Sequence, residues 1–203
     1  MLDHKTSVER LGAFSDAVIA VIITIMVLEL KAPESSTFAA LGPLWPTAVS
    51  YAVSYLFIAI IWVNHHHLLR FVHHVTTRLI WMNFAHLFVV ALVPFATSWI
   101  ARTELAAAPV AIYAAIFVFV NIAYVVFERE IVVQADPEQL SPRARSIARL
   151  RSLTTLTIFA GAGLVSVVAP LLGFALICCA LVFYLRPDIP EIGKVSRETH
   201  AKG

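Results

Sequence analysis

The sequence predicts an all-α membrane protein with six transmembrane helices, and three observations support this. First, 60% of the 203 residues are hydrophobic and the mean hydropathy is +0.83, whereas a soluble domain is roughly 45–50% apolar. Second, the 15 basic and 13 acidic residues stand in short stretches between long uncharged runs. Third, these runs reach the length of about 20 residues that a helix needs to cross a bilayer. The net charge of +2 is too small to indicate a nucleic-acid partner.

The first four predicted spans cover residues 13–30, 44–64, 79–101 and 105–127, and the last three of these follow uncharged runs. The first span is unusual because Asp16 lies near its start and Glu29 at its end. Between them, Ala17–Leu28 is apolar except for Thr24. Since ionisable residues are rare inside membrane helices, this span is the first place to look for function.

A further uncharged run of 33 residues, Leu153–Leu185, is too long for one helix. At ~1.5 Å per residue a single helix would extend over roughly 50 Å. Pro170 near the middle of the run, with Gly173 just after it, favours a turn between two helices. The fifth and sixth spans are therefore predicted at residues 149–169 and 171–186.

The six spans form one predicted membrane domain, residues 1–186, with both termini on the same side. Within it, residues 128–149 mix charges of both signs and are typical of a solvated loop, while residues 187–203 are predicted to form a flexible tail. Of the 15 Lys and Arg residues, only Lys31 and Arg102 fall on the side opposite the termini. Because cytoplasmic segments carry the excess of basic residues, both termini and the tail are predicted to be cytoplasmic.

Asp16 is the first candidate functional residue. A carboxylate in a membrane helix costs ~2.5–3.5 kcal/mol on insertion scales, so it needs a partner. Arg10 is six residues away, whereas side chains on one helix meet at spacings of three or four. We therefore expect the partner on another helix, and the end of the second span, Trp62–Phe71, lies at the same depth. The alternative is that Asp16 is simply hydrated at the membrane interface.

A group of six histidines suggests a metal or haem site. No two of them are three or four residues apart, so no single helix presents two ligands on one face. We therefore expect no bound metal, and we expect some of these histidines to donate hydrogen bonds to Asp16 and to the backbone. The six are His65, His66, His67, His73, His74 and His86.

The first span also carries a narrow stripe of side chains along one face. At about 100° per residue, four of them fall within about 60° of one another: Ala17, Val21, Thr24 and Leu28. Such a stripe is usually a helix-packing surface. Four copies around a symmetry axis would instead form successive rings of valine, threonine hydroxyl and leucine, as in a narrow pore that can be gated.

The first helix opens with a motif in which Arg10 is followed, after three other residues, by Phe14-Ser15-Asp16 and then by the apolar run. This motif resembles the signature of the transmembrane protein 175 family. The stretch Trp62–Phe71, with its paired histidines, resembles the end of that family's second helix. Asn83 together with Pro94-Phe95-Ala96-Thr97 resembles the third helix, so the resemblance extends over nearly the whole chain.

The resemblance implies a potassium-permeable channel in a bacterial plasma membrane, and not an enzyme. One six-helix unit per chain would assemble as a homotetramer in the lipid bilayer, with the first helices lining the pore. No cofactor is implied, and the permeant ions would be K⁺, Rb⁺ and Cs⁺. Because the chain has no Thr-Val-Gly-Tyr-Gly loop, we expect only modest selectivity for K⁺ over Na⁺.

The motif spacing carries the family's pore positions onto Val21 as the apolar constriction, Thr24 as the selectivity hydroxyl ring and Leu28 one turn further out. Ile25 points about 40° away from Val21 and is assigned a weaker part in the constriction. Family members have Ile or Leu at the position of Val21, so the constriction here has a smaller side chain. The resemblance also implies a structural network that does not touch the ion: Arg10, Phe14, Ser15, Asp16, Trp62, His65, His66 and Asn83.

Two other functions are alternatives to a channel. A proton- or ion-coupled secondary transporter would use Asp16 and the histidines as a relay. Such a carrier is expected to have internal repeats and broken helices near the membrane midplane, and the sequence indicates neither. A membrane-embedded metal or haem enzyme is the third hypothesis, which metal analysis or a visible absorption spectrum would test.

Overall fold

The computed structural model describes residues 2–134 and 142–184, and these residues form helices and connecting turns without a strand. This is the all-α fold class that the sequence predicts. A short 3-10 helix, Phe38–Leu44, precedes the second α-helix. The α-helices are α1 (Leu2–Val27), α2 (Trp45–Leu69), α3 (Thr77–Val90), α4 (Val93–Arg102), α5 (Ala107–Gln134), α6 (Pro142–Ser166) and α7 (Pro170–Tyr184). The predicted tail, residues 187–203, lies outside the described residues.

Within the described residues, four helical segments are long and apolar enough to cross a membrane: Ser7–Val27, Phe38–Leu69, Thr77–Arg102 and Ala107–Gln134. α6 and α7 correspond to the other two predicted spans. α1 differs from its predicted bounds at both ends, because the helix begins at Leu2 and ends at Val27.

The third predicted span is interrupted, since it consists of α3 and α4 with a bend at Ala91 and Leu92. Pro94 explains the bend, because its missing N–H leaves the carbonyl of Val90 without the usual helical donor. Ala91 and Leu92 nevertheless keep right-handed helical backbone angles. The interruption is therefore a bend and not the unwound stretch that a carrier uses to bind its substrate.

The predicted loop over residues 128–149 is wrong at both ends. α5 continues to Gln134 because Ile131 is fully buried and Glu130 pairs with Arg78 of α3 at 3.2 Å. α6 begins at Pro142, and proline suits the first position of a helix, where its missing N–H is not needed.

α6 and α7 form a hairpin that turns over residues 167–169, just before Pro170. Gly173 lies at a close approach of the two helices. A Cβ atom on Gly173 would lie 2.6 Å from the Cβ of Ser166 and 2.7 Å from the carbonyl oxygen of Ala162. Only glycine fits at this crossing.

α1 packs against the rest of the subunit through one face only. Ile19, Ile22 and Met26 are at most 6% exposed, and their spacing of three and four residues places them on one side of the helix. This face packs against α2, α3 and α4. The opposite face of α1 is left uncovered by its own subunit.

Candidate functional site

The stripe on α1 lies on this uncovered face. Val21 is 54% exposed, Ile25 49% and Leu28 74%, although all three are large apolar side chains. Thr24 is also exposed, and its Oγ1 donates a hydrogen bond to the carbonyl oxygen of Val21 at 2.9 Å. Since the hydroxyl proton is held by the helix, the oxygen lone pairs of Thr24 point outward and can contact a cation.

A buried hydrogen-bond chain joins α1, α2 and α3 beside the motif residues. Nε2 of His65 donates to Oδ1 of Asn83 at 2.7 Å, and Nδ2 of Asn83 donates to Oγ of Ser15 at 3.0 Å. Oγ of Ser15 donates in turn to the carbonyl oxygen of Leu11 at 2.9 Å. His65, Asn83 and Ser15 are each 0% exposed. Three of the predicted network residues therefore meet in the interior of the subunit.

Asp16 accepts a hydrogen bond from Nε1 of Trp62 at 2.8 Å, so its partner lies on the second helix as expected. Histidine donors were expected here, but Nε2 of His65 contacts Asn83 instead. His66 stacks on the ring of Trp62 with centroids 5.5 Å apart. Asp16 lies about 140° around α1 from Val21, and it therefore points away from the stripe.

The other two predicted network residues do not join these chains. Phe14 is 44% exposed and contacts the ring of Phe84 on α3, with centroids 5.2 Å apart. Arg10 is exposed, and within the described parts of the chain it pairs with none of the network residues.

The remaining histidines do not converge on one point. Nδ1 of His67 contacts the carbonyl oxygen of Val63 at 2.7 Å, which is the expected bond to the backbone. His86 is buried with its ring nearly parallel to that of His65, at a centroid separation of 6.1 Å. Among residues 2–134 and 142–184, no three His, Cys, Asp or Glu side chains are placed to hold a metal ion.

Sequence reasoning missed a second buried polar chain, which fixes α4. Ser54 of α2 lies 2.6 Å from the hydroxyl oxygens of both Thr97 and Tyr113. Thr97 donates to the carbonyl oxygen of Val93 at 2.8 Å, so Ser54 donates to Thr97 and Tyr113 of α5 donates to Ser54. The two pairs are 43 and 59 residues apart in the sequence, so no local pattern predicts them. The available signal was the presence of polar residues within three apolar spans.

A third polar contact was also missed, at the end of α1 remote from Asp16. Oε2 of Glu29 accepts hydrogen bonds from Oγ of Ser98 at 2.8 Å and from Nη2 of Arg102 at 3.2 Å. Glu29 lies beyond Val27, the last residue of the membrane-spanning segment. The hydrogen bond from Ser98, aided by the Arg102 guanidinium, holds the pKa of Glu29 below its usual value. The carboxyl group is therefore ionised at neutral pH.

Asn83→Leu tests whether the buried chain holds α1 in place. The change removes the hydrogen-bond partner of the His65 N–H and of the Ser15 hydroxyl oxygen. Each unsatisfied group lowers the free energy of unfolding by about 1–3 kcal/mol. We expect the melting temperature of the detergent-solubilised protein to fall. Ser15→Ala should lower it less, and the double variant should lower it by less than the sum of the two single effects. Strict additivity would mean that Asn83 and Ser15 act independently.

Comparisons with known proteins agree with this architecture. The profile of a family described as endosomal/lysosomal potassium channel TMEM175 matches residues 10–94. The crystal structure of a lysosomal potassium-selective channel TMEM175 homolog from Chamaesiphon minutus superposes with a TM-score of 0.76. The match covers 88% of this chain and 96% of that chain at 24% identity, which shows a shared fold.

The chain is also similar in amino-acid sequence to curated relatives. A protein of Chryseobacterium sp. named as a potassium channel is 46% identical over 123 residues, 61% of this chain and 64% of its own length. Another potassium channel, from Streptomyces collinus, is 34% identical over 173 residues, 80% of this chain and 84% of that relative. The match thus spans just under two thirds of the first relative and most of the second. With its apolar segments, this chain is a multi-pass membrane protein, and it belongs to the TMEM175 family of potassium channels, not to a family of enzymes.

Proposed function

We propose that this chain is the subunit of a homotetrameric, potassium-permeable cation channel whose pore is lined by the exposed stripe of α1. The observation that carries the proposal is the stripe itself. An apolar helix face with one hydroxyl is left uncovered by its own subunit, in a chain whose family is that of potassium channels. Four such faces around an axis would cover one another and enclose a narrow path.

Two apolar rings would control this path. The Val21 side chains form the constriction, and those of Leu28 form a second ring nearer the other end of the helix. Such rings close a pore by making a narrow column of water unfavourable, so no plug is needed. Ile25 stands at the edge of the stripe and contributes less to the constriction.

The charge distribution supports the orientation. Six crossings, residues 1–186, place both termini and the tail, residues 187–203, in the cytoplasm, because nearly all Lys and Arg residues then lie on that side. Asp16 and Trp62 lie near the cytoplasmic end of the pore helix in this orientation. Leu28 lies at the outer end, and the membrane is the bacterial plasma membrane.

The permeant ions of the proposed channel are K⁺, Rb⁺ and Cs⁺, and no cofactor takes part. The chain lacks a filter of backbone carbonyl groups, so the Thr24 hydroxyl ring is left to favour K⁺ over Na⁺ and selectivity is modest. The secondary-transporter hypothesis has no support from the relatives, which are named as channels. Asp16, the proposed relay residue, is bonded to Trp62 and turned away from the stripe.

Ion flux into liposomes that contain the purified protein tests the proposal. We expect K⁺ flux that rises with the gradient without saturating, similar flux of Rb⁺ and Cs⁺, and lower flux of Na⁺. Protein-free liposomes prepared in parallel are the control. Saturating exchange kinetics with turnover far below channel rates would support a carrier instead.

Thr24→Val tests the hydroxyl ring. Valine has the same shape as threonine but cannot replace part of the hydration shell of a cation. We expect the preference for K⁺ over Na⁺ to fall while expression and assembly are retained, because the hydrogen bond that Thr24 makes among the described residues stays within its own helix. Reversal potentials under mixed K⁺ and Na⁺ gradients measure the effect. Unchanged reversal potentials would exclude Thr24 from selectivity.

A further inference from the structure

The outer end of α1 is tied to α4 by a clamp, which we define as Glu29, Ser98 and Arg102. Ser98 and Arg102 are four residues apart and thus share one face of α4. Both donate to the same oxygen of Glu29. Glu29 itself belongs to a tight turn that closes α1, in which its N–H bonds to the carbonyl oxygen of Met26 at 3.2 Å. The clamp therefore acts directly on the last turn of the helix.

α4 is a firm support for this clamp. Val93, Ala96 and Ile100 are each 0% exposed, and the chain of hydroxyl groups through Thr97 ties α4 to α2 and α5. The end of α1 is held less firmly, because Leu28, next to Glu29, is 74% exposed. The ion pair thus connects a fixed helix to the partly uncovered end of the proposed pore helix.

We propose that Glu29 is a positioning residue that, through Ser98 and Arg102, holds the outer end of α1 back from the pore axis and so sets the width of the opening at Leu28. This inference rests on the proposed function, because α1 must line the pore. α4 packs on the side of α1 away from the stripe, so the clamp pulls Leu28 outward. Without the clamp, four apolar ends surrounded by water gain free energy by approaching one another, and the opening narrows.

The test compares K⁺ and Cs⁺ flux through proteoliposomes of the wild type, Glu29→Gln and Arg102→Gln. We expect each variant to lower K⁺ flux by about two- to fivefold, the size of effect that a partly exposed ion pair supports. Flux of the larger Cs⁺ should fall further, so the Cs⁺/K⁺ ratio decreases. The double variant should match the single ones, since either change removes the ion pair between Glu29 and Arg102.

The two single variants separate the clamp from a simple effect of charge. Removing an acidic group lowers the local cation concentration and removing a basic group raises it, so a charge effect would move flux in opposite directions. The clamp predicts a decrease in both. Glu34→Gln, which removes an exposed carboxylate on the same side, is the matched control and should leave the Cs⁺/K⁺ ratio unchanged.

Leu28→Ala provides a second check, because it removes the side chain that narrows the opening. In that background, Glu29→Gln should no longer lower the Cs⁺/K⁺ ratio. Wild-type flux with an unchanged ratio in Glu29→Gln would overturn the clamp and leave the channel intact. An equal loss of both ions with poor assembly would also overturn it, in favour of a purely structural contact. Absence of K⁺ flux in the wild type would refute the proposed function itself.

Discussion

Val21→Asn is expected to raise resting K⁺ flux and to weaken selectivity, whereas Val21→Leu is expected to lower flux. An amide in each subunit would let water fill the proposed constriction, while a longer apolar side chain would narrow it further. The two changes are expected to move K⁺ flux in opposite directions, because asparagine alters the polarity of the side chain and leucine alters its size. Flux assays on both variants, each first checked for tetramer assembly, measure the effect.

Val27 offers a control on the same helix. It is 47% exposed, close to the exposure of Val21, but it points about 120° away from Val21. Val27→Asn should therefore leave resting flux unchanged, and Ile25→Asn should raise it less than Val21→Asn does. If Val21 were only a packing residue, asparagine and leucine would both impair folding, and their folded tetramers would conduct equally.

Gly173→Ala is expected to destabilise the α6–α7 hairpin strongly. The added methyl group would meet Ala162 and Ser166 at distances that no real Cβ contact shows, and two of the three nearest atoms belong to the backbone. Because the helices would have to separate, we expect a cost at the upper end of the ~1–3 kcal/mol seen for overpacked cores. The measurement is the melting temperature and the yield of folded protein in detergent.

Gly161→Ala is the matched control, since it makes the same chemical change in α6, at the residue that precedes Ala162. Apart from the nearby backbone of its own helix and its chain neighbours, no atom of the described residues lies within 4 Å of the Cβ that it would add. Alanine is favoured over glycine in a helix by up to about 1 kcal/mol, so this variant should be as stable as the wild type or more so. Equal destabilisation of both variants would mean that the close approach at Gly173 is not what limits the hairpin.

The sequence was informative about features that depend on local pattern. Uncharged runs predicted where the apolar segments lie, and the 100° helical period predicted that Val21, Thr24 and Leu28 share a face. The same period predicted that Asp16 needs a partner on another helix. Which residue of the second helix supplies that partner was not predictable, because depth in the membrane does not determine which side of α2 faces α1. Trp62 faces Asp16, and His65 faces Asn83.

Contacts between residues far apart in the sequence could not be predicted from these patterns. Glu29 and Arg102 are 73 residues apart, and the chain of Ser54, Thr97 and Tyr113 connects three helices. Neither follows from the sequence without knowing how the helices pack. The end of α5 was mispredicted for a related reason. The charged residues after Phe127 are typical of a loop, and the ion pair between Glu130 and Arg78 of α3 is not visible in the sequence.

The bent third segment has a consequence for the rotation of α1 about its own axis. α3 meets α1 at Ser15 through Asn83, and α4 meets it at Glu29, fourteen residues further along. Asp16 bonds to Trp62 directly after the first of these points. From Ala17 to Leu28 the described packing contacts of α1 with other helices are apolar and have no preferred direction. The polar contacts at Ser15 and at Glu29 therefore together fix the rotation of α1 about its own axis. Adding or deleting one residue between them would rotate one set of contacts by about 100° relative to the other. Val21 and Thr24 therefore point in their present direction only at this spacing.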